Sequence, residues 1–119
     1  MSSKKFTDLR VWQNGHALAL LVYKITKQFP KDEQFALTNQ LRRAVTSVPS
    51  NIAEGFNRLS QKEKVQFYSI ALGSTGEVQS QSMLGRDLGY MSAENYSQID
   101  SLAEIVHKEL VALIKSIRA

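Results

Sequence analysis

Three kinds of side chain in this sequence have the types and spacing to do chemistry: two glutamates near small polar residues, two histidines, and a series of basic groups. Glu54 and Glu77 come first. A di-metal centre inside a helical bundle takes a Glu from each of two helices and a Glu-x-x-His pair from each of the other two. Asn57 stands three residues after Glu54, and Ser80 three after Glu77. An ion pair with Arg42 or Arg43 is the expected role of these carboxylates. His16 and His107 fall on different helices. No HExxH, GxxxxGK, GxGxxG or GxSxG pattern occurs, and there is no cysteine to act as nucleophile or thiolate ligand. The expectation is therefore no catalytic residue, no cofactor-binding residue and no metal ligand, in a chain that is not an enzyme.

The basic groups point elsewhere. Up to Lys64 the chain carries eleven Lys or Arg against five acids; beyond it, four against six. A basic first half is suited to an acidic partner such as RNA or DNA. The candidates are Arg42, Arg43, Arg58, Lys62 and Lys64. Gln40, Arg43, Ser47, Asn51, Glu54 and Arg58 form one continuous polar stripe at helical spacing. This stripe is either a solvated face or a surface for RNA phosphate or another subunit. Arg42 and Arg43 point about 100° apart on a helix, so the pair serves two surfaces. Arg58, Lys62 and Lys64 precede Tyr68, and cations beside an aromatic suit a single strand.

Four helices must position these groups. Val11, Gly15, Leu18, Val22, Ile25 and Phe29 mark the first, over about 8–29. Leu37, Leu41, Val45, Val48, Ile52 and Phe56 mark the second, over about 33–56. Its register runs straight through Pro49. Two helices meeting there, with Asn51 and Glu54 capping the later one, would have no reason to keep phase, so the expectation is one helix kinked at Pro49. The third, 61–88, opens on Ser60 and Glu63 at capping-box spacing and is rich in Gly and Ser. Its expected inner face is Phe67, Ile70 with Ala71, Ser74, Val78, Gln81 and Leu88. Gly89 ends it, and Ser92 caps the fourth, 93–117, with Ile99, Leu102, Val106, Leu110, Leu113 and Ile117 on its stripe. No segment alternates with period two. Short breaks between helices give an all-α, up-down antiparallel four-helix bundle, one domain over 1–119.

The first helix is apolar on more bearings than a bundle needs. Leu18, Leu20, Leu21 and Val22 exceed one core stripe, and that surplus is expected to meet another subunit. The longest apolar run, residues 17–23, is too short to cross a membrane. No apolar run directly follows the N-terminal lysines, so no signal peptide is expected and the expected location is cytoplasmic.

The stretch LTNQLRRAVTSVPSNIAEGFNR (37–58), with DLRVWQ, QFP, ALGSTGE and LGY, resembles the bacterial four-helix family of 23S rRNA intervening-sequence proteins, named for reading frames inside insertions of large-subunit ribosomal RNA genes. The resemblance spans about 6–112. The family often carries two acids one residue apart after the Gly-Ser; here Glu77 is followed by Gln79. The resemblance implies a bundle assembled as a ring, with a homopentamer favoured. It also implies kinship with the accessory bundle proteins of diversity-generating retroelements, basic pentamers that bind nucleic acid and a reverse transcriptase. Two functions follow as expectations: a homo-oligomeric RNA-binding bundle, or an adaptor whose main partner is a protein.

Overall fold

The computed structural model describes residues 4–118 and contains four long helices: α1 (Arg10–Thr26), α2 (Leu37–Asn57), α3 (Gln61–Asp87) and α4 (Ala93–Arg118). Short 3-10 turns at Phe6–Asp8 and Lys31–Glu33 precede α1 and α2. Each helix packs on two neighbours, in the cyclic order α1, α2, α3, α4, and among the described residues no Cα atoms of the diagonal pairs come within 8 Å. This is the up-down four-helix bundle, 43 × 24 × 20 Å along its principal axes.

The buried stripe of α1 is Val11, Gly15, Leu18, Val22 and Ile25, as its spacing predicts. The helix stops at Thr26, short of the expected 29. Thr26 donates its hydroxyl to the Val22 carbonyl at 2.7 Å, and Gln28 and Phe29 switch to three-residue backbone bonds on Ile25 and Thr26. Phe29 is still buried, as a plug over the bundle end. The second helix begins at Leu37 instead of 33. Glu33 stays in the 3-10 turn and accepts the Leu37 N–H on its carboxylate at 3.2 Å, so it caps the helix from outside.

Helix α2 runs unbroken through Pro49, which excludes two helices meeting there. Leu41, Val45, Val48 and Ile52 on its inner face are fully shielded from solvent. Each such side chain contributes roughly 1.5–3 kcal/mol of burial, enough together to outweigh the roughly 3 kcal/mol that an interior proline costs. Gly15 of α1 lies against this point: a Cβ there would be 3.2 Å from Val48 Cγ1 and 3.7 Å from the Pro49 nitrogen.

Helix α3 opens as expected, with Ser60 accepting the Glu63 N–H at 3.1 Å. Its inner face matches the expected one at Ala71, Ser74 and Val78 and departs from it elsewhere. Tyr68, Ala71, Ser74, Thr75, Val78, Ser82 and Gly85 are buried, whereas Ile70 and Leu88 are exposed. The helix has turned its small residues inward, and larger groups from its neighbours fill the space. At Gly85 those groups are Phe29 and Met91. Gly89 ends the helix at φ +80°. Tyr90 N–H bonds to the Gly85 carbonyl and Gly89 N–H to that of Arg86, both at 2.9 Å, which is a Schellman motif. Ser92 accepts the Asn95 N–H at 3.0 Å and starts α4, whose core side is Ile99, Ala103, Val106, Leu110 and Ile114.

Candidate nucleic-acid and assembly surfaces

The five expected nucleic-acid contacts do not form one surface. Arg42 on α2 and Arg58 at its C-cap are sixteen residues apart, about 24 Å at 1.5 Å per residue, so they lie toward opposite ends of the bundle. Arg42 reaches back to α1. Its Nε donates to Thr26 Oγ1 at 2.9 Å, Nη2 approaches the Tyr23 carbonyl at 3.4 Å, and the guanidinium lies 4.8 Å over the Tyr23 ring. Arg43 points the other way, into a cleft between α2 and α3.

At the far end, Arg58 and Lys64 hold the α2–α3 turn. Arg58 pairs with Glu54 at 3.1 Å and Glu63 at 3.8 Å and covers the Phe67 ring. Lys64 donates to the Phe56 carbonyl at 2.7 Å and to that of Gly55 at 3.3 Å, satisfying the C-terminus of α2. Tyr68 is buried, and burial raises its phenol above the ordinary value. It therefore offers no stacking platform to a strand, contrary to its expected place beside these cations. Lys62 is exposed and shares a shallow depression with Arg118.

Two further basic side chains, Lys27 and Lys31, lie outside the expected set and beside one of its members. Lys27 and Lys31 join Arg42 around a pocket of about 160 Å³ at the α1–α2 turn, with Thr26, Gln34 and Thr38. Lys27 and Lys31 are separated from Arg42 by more than ten residues, so only the antiparallel turn brings them together. Nearby, Tyr90 donates its hydroxyl to Glu33 at 3.2 Å; burial first, and then this bond, hold its phenol above the usual range.

The expected ion pair of Glu54 or Glu77 with Arg42 or Arg43 does not form. Glu54 pairs with Arg58 one turn on, and among the described residues no cation lies within 4 Å of Glu77. The α2–α3 cleft that holds Glu77 measures about 490 Å³. At one end Ser47 and Ser74 share a 2.8 Å hydrogen bond, and the Asn51 amide donates to the Ser47 carbonyl at 2.8 Å and hydroxyl at 2.9 Å. One Glu-x-x-His pair does exist, Glu104 and His107 on α4. Glu104 accepts the Gln79 amide at 3.1 Å, and no cluster of three His, Asp or Glu side chains forms among the described residues.

The apolar surplus of α1 is also redistributed. Leu18 and Val22 are fully buried in the bundle's own core, because their spacing from Val11 and Ile25 keeps them on the inner stripe. Leu21 is half-buried against that core. Leu20, 61% exposed, is the one that faces outward. It lines an apolar groove of about 490 Å³ between α1 and α2, with Trp12, Ala19, Tyr23, Pro49 and Ala53. His16 is stacked on Trp12 at 4.8 Å and 13°, a packing role at the groove's wall. Among the described residues no helix is long and apolar enough to cross a membrane.

No curated protein matches the chain. Among solved structures, it is similar to a protein of unknown function from the S23 ribosomal protein family of Bacteroides thetaiotaomicron, with 24% identity and a TM-score of 0.82 over 88% of this chain and 95% of that one. At that identity the likeness establishes the four-helix fold and nothing finer. The sequence itself matches the 23S rRNA-intervening sequence protein family across residues 7–112, from the turn before α1 to most of α4, and the chain belongs to that family.

Proposed function

We propose that the chain is a non-enzymatic, homo-oligomeric helical bundle that binds RNA through basic side chains at the α1–α2 end. The observation that carries this reading is the adjacency of two unlike surfaces. The groove containing Leu20, Trp12 and Tyr23 is apolar and open, as a subunit contact requires before assembly. Beside it Lys27, Lys31 and Arg42 converge on one pocket, and Lys24 is exposed on the last turn of α1. Tyr23 touches both, through its ring under Arg42 and its place in the groove. Assembly on the groove repeats the basic cluster in every subunit, so contacts that are weak singly act together. A ring of five is the assembly that the family resemblance implies.

Two measurements test the proposal. Light scattering at micromolar concentration should give a mass several times 13.4 kDa; a monomer refutes the assembly. Fluorescence anisotropy with single-stranded RNA should show affinity falling steeply with salt, the mark of phosphate contacts. Lys27→Ala and Lys31→Ala should each reduce the salt slope by roughly one. Absence of binding at low salt refutes the RNA reading and favours the protein adaptor.

A further inference from the structure

The α2–α3 cleft contains groups that bundle packing does not use. Arg43 and Glu77 enter it from opposite walls, one helical turn beyond the Ser47–Ser74 contact, without an ion pair within 4 Å. Gln81 lies one further turn along α3 and lines the same cleft. Phe35 is 87% exposed at the mouth, just before α2 begins. The volume of about 490 Å³ lies within the usual range of small-ligand sites.

These features define a ligand by what each lacks. The α3 wall presents the Glu77 carboxylate and calls for N–H donors. The α2 wall presents a guanidinium and calls for an anion. The rim presents a bare aromatic face and calls for a flat ring. A nucleotide has all three. Guanine fits the acceptor wall best, because its Watson–Crick edge carries adjacent N1–H and N2–H donors that a carboxylate accepts in parallel. Adenine and cytosine offer an amine beside an acceptor, and uracil one N–H between two carbonyls. The cleft also opens beside the same turn as the basic cluster, since Phe35 follows Lys31 by four residues.

We propose that this cleft is a single-nucleotide subsite for an unpaired guanosine of RNA. The base stacks on Phe35, its donor edge meets Glu77 with Gln81 beside it, and its phosphate meets Arg43. The inference rests on the RNA-binding reading above and gives that surface a base preference.

The test compares fluorescein-labelled oligouridine with the same oligomer carrying one central guanosine, by anisotropy at fixed low salt on the full chain. The guanosine oligomer should bind roughly 5- to 150-fold tighter, the range of a good bidentate base contact. Glu77→Gln should abolish that preference while leaving oligouridine binding in place, because an amide replaces one acceptor with a donor. Phe35→Ala should weaken the guanosine oligomer several-fold with an unchanged circular dichroism spectrum and light-scattering mass, since the ring is exposed. Equal affinity for the two oligomers, or a preference that survives Glu77→Gln, overturns the subsite and leaves general RNA binding intact. Failure of both oligomers to bind overturns both readings.

Discussion

Replacing Gly55 by alanine should destabilise the bundle, although alanine is the better helix former. Gly55 is in the last turn of α2 and faces α3. An added Cβ would lie 2.8 and 3.0 Å from two carbons of the Tyr68 ring and 3.2 Å from Phe67 Cβ. Tyr68 is only 3% exposed, so its ring has no open space to swing into. Overpacking of this kind costs about 1–3 kcal/mol. The propensity gain of alanine is about 1 kcal/mol in a helix interior and smaller at an end. The net expectation is a loss of about 1–2 kcal/mol, or a fall in melting temperature of roughly 3–6 °C per kcal/mol for a chain of this size. Gly73→Ala and Gly76→Ala are the internal controls: a Cβ at either meets nothing within 4 Å, so each should gain up to about 1 kcal/mol. Thermal melts followed at 222 nm would rank the three. A Gly55→Ala protein as stable as its parent would mean that α2 and α3 do not approach as closely as the structure has them. A destabilised Gly73→Ala protein would mean that the outer face of α3 is covered by another copy in solution.

Other expectations concern single positions. Pro49 should bend α2 by more than about 20° between its halves in a crystal structure, and Pro49→Ala should keep the fold, because the apolar register is unchanged; a straight helix in the parent refutes the bend. Arg58→Ala and Lys64→Ala should lower stability more than they lower RNA affinity, since both side chains serve the α2–α3 turn; a large affinity loss at unchanged melting temperature would reverse that assignment. The phenols of Tyr68 and Tyr90 are both held above 10.0. The folded chain therefore keeps protons that the unfolded chain releases, so their contribution is intact below about pH 10 and lost as pH rises through the folded values. Tyr90→Phe should flatten part of that alkaline decline in urea denaturation, and an unchanged slope would refute the upward shift of its phenol.

The sequence makes α1 and α2 legible because large apolar residues occupy their inner stripes. Leu41, Val45, Val48 and Ile52 even carry the phase through Pro49, and the helix continues accordingly. Helix α3 was harder to read for the same physical reason. Thr75, Ser82 and Gly85 are buried there, but small and polar residues produce no hydrophobic signal, so attention goes to Ile70 and Leu88, which face solvent. Surplus on α1 was visible as a count of leucines and invisible as a direction. One residue of phase separates Leu20 outside from Leu21 against the core. The tandem arginines divide between α1 and the α2–α3 cleft, as two positions 100° apart must. Lys27 and Lys31 could be found only from the turn geometry that folds them back onto Arg42. The cleft itself comes from an unfilled space between two polar stripes, and no spacing rule reports a space.

The α1–α2 groove has a further consequence for how copies of the chain would assemble. Cyclic rings of more than two subunits are built from heterologous contacts, so each copy must supply two unlike patches. The groove is one. Met83 and Leu84 on α3, the helix diagonal to α1, form a second exposed apolar set with Leu88 at its C-cap. A head-to-tail contact between unlike patches closes only when the rotation it imposes divides a full turn; otherwise it propagates as an open filament. The angle between the patches is fixed by the shared core, above all by the close approaches at Gly15, which sets α1 against α2, and at Gly55, which sets α2 against α3. A core substitution far from either patch could then change the assembly from a closed particle to a fibre without touching the residues in contact.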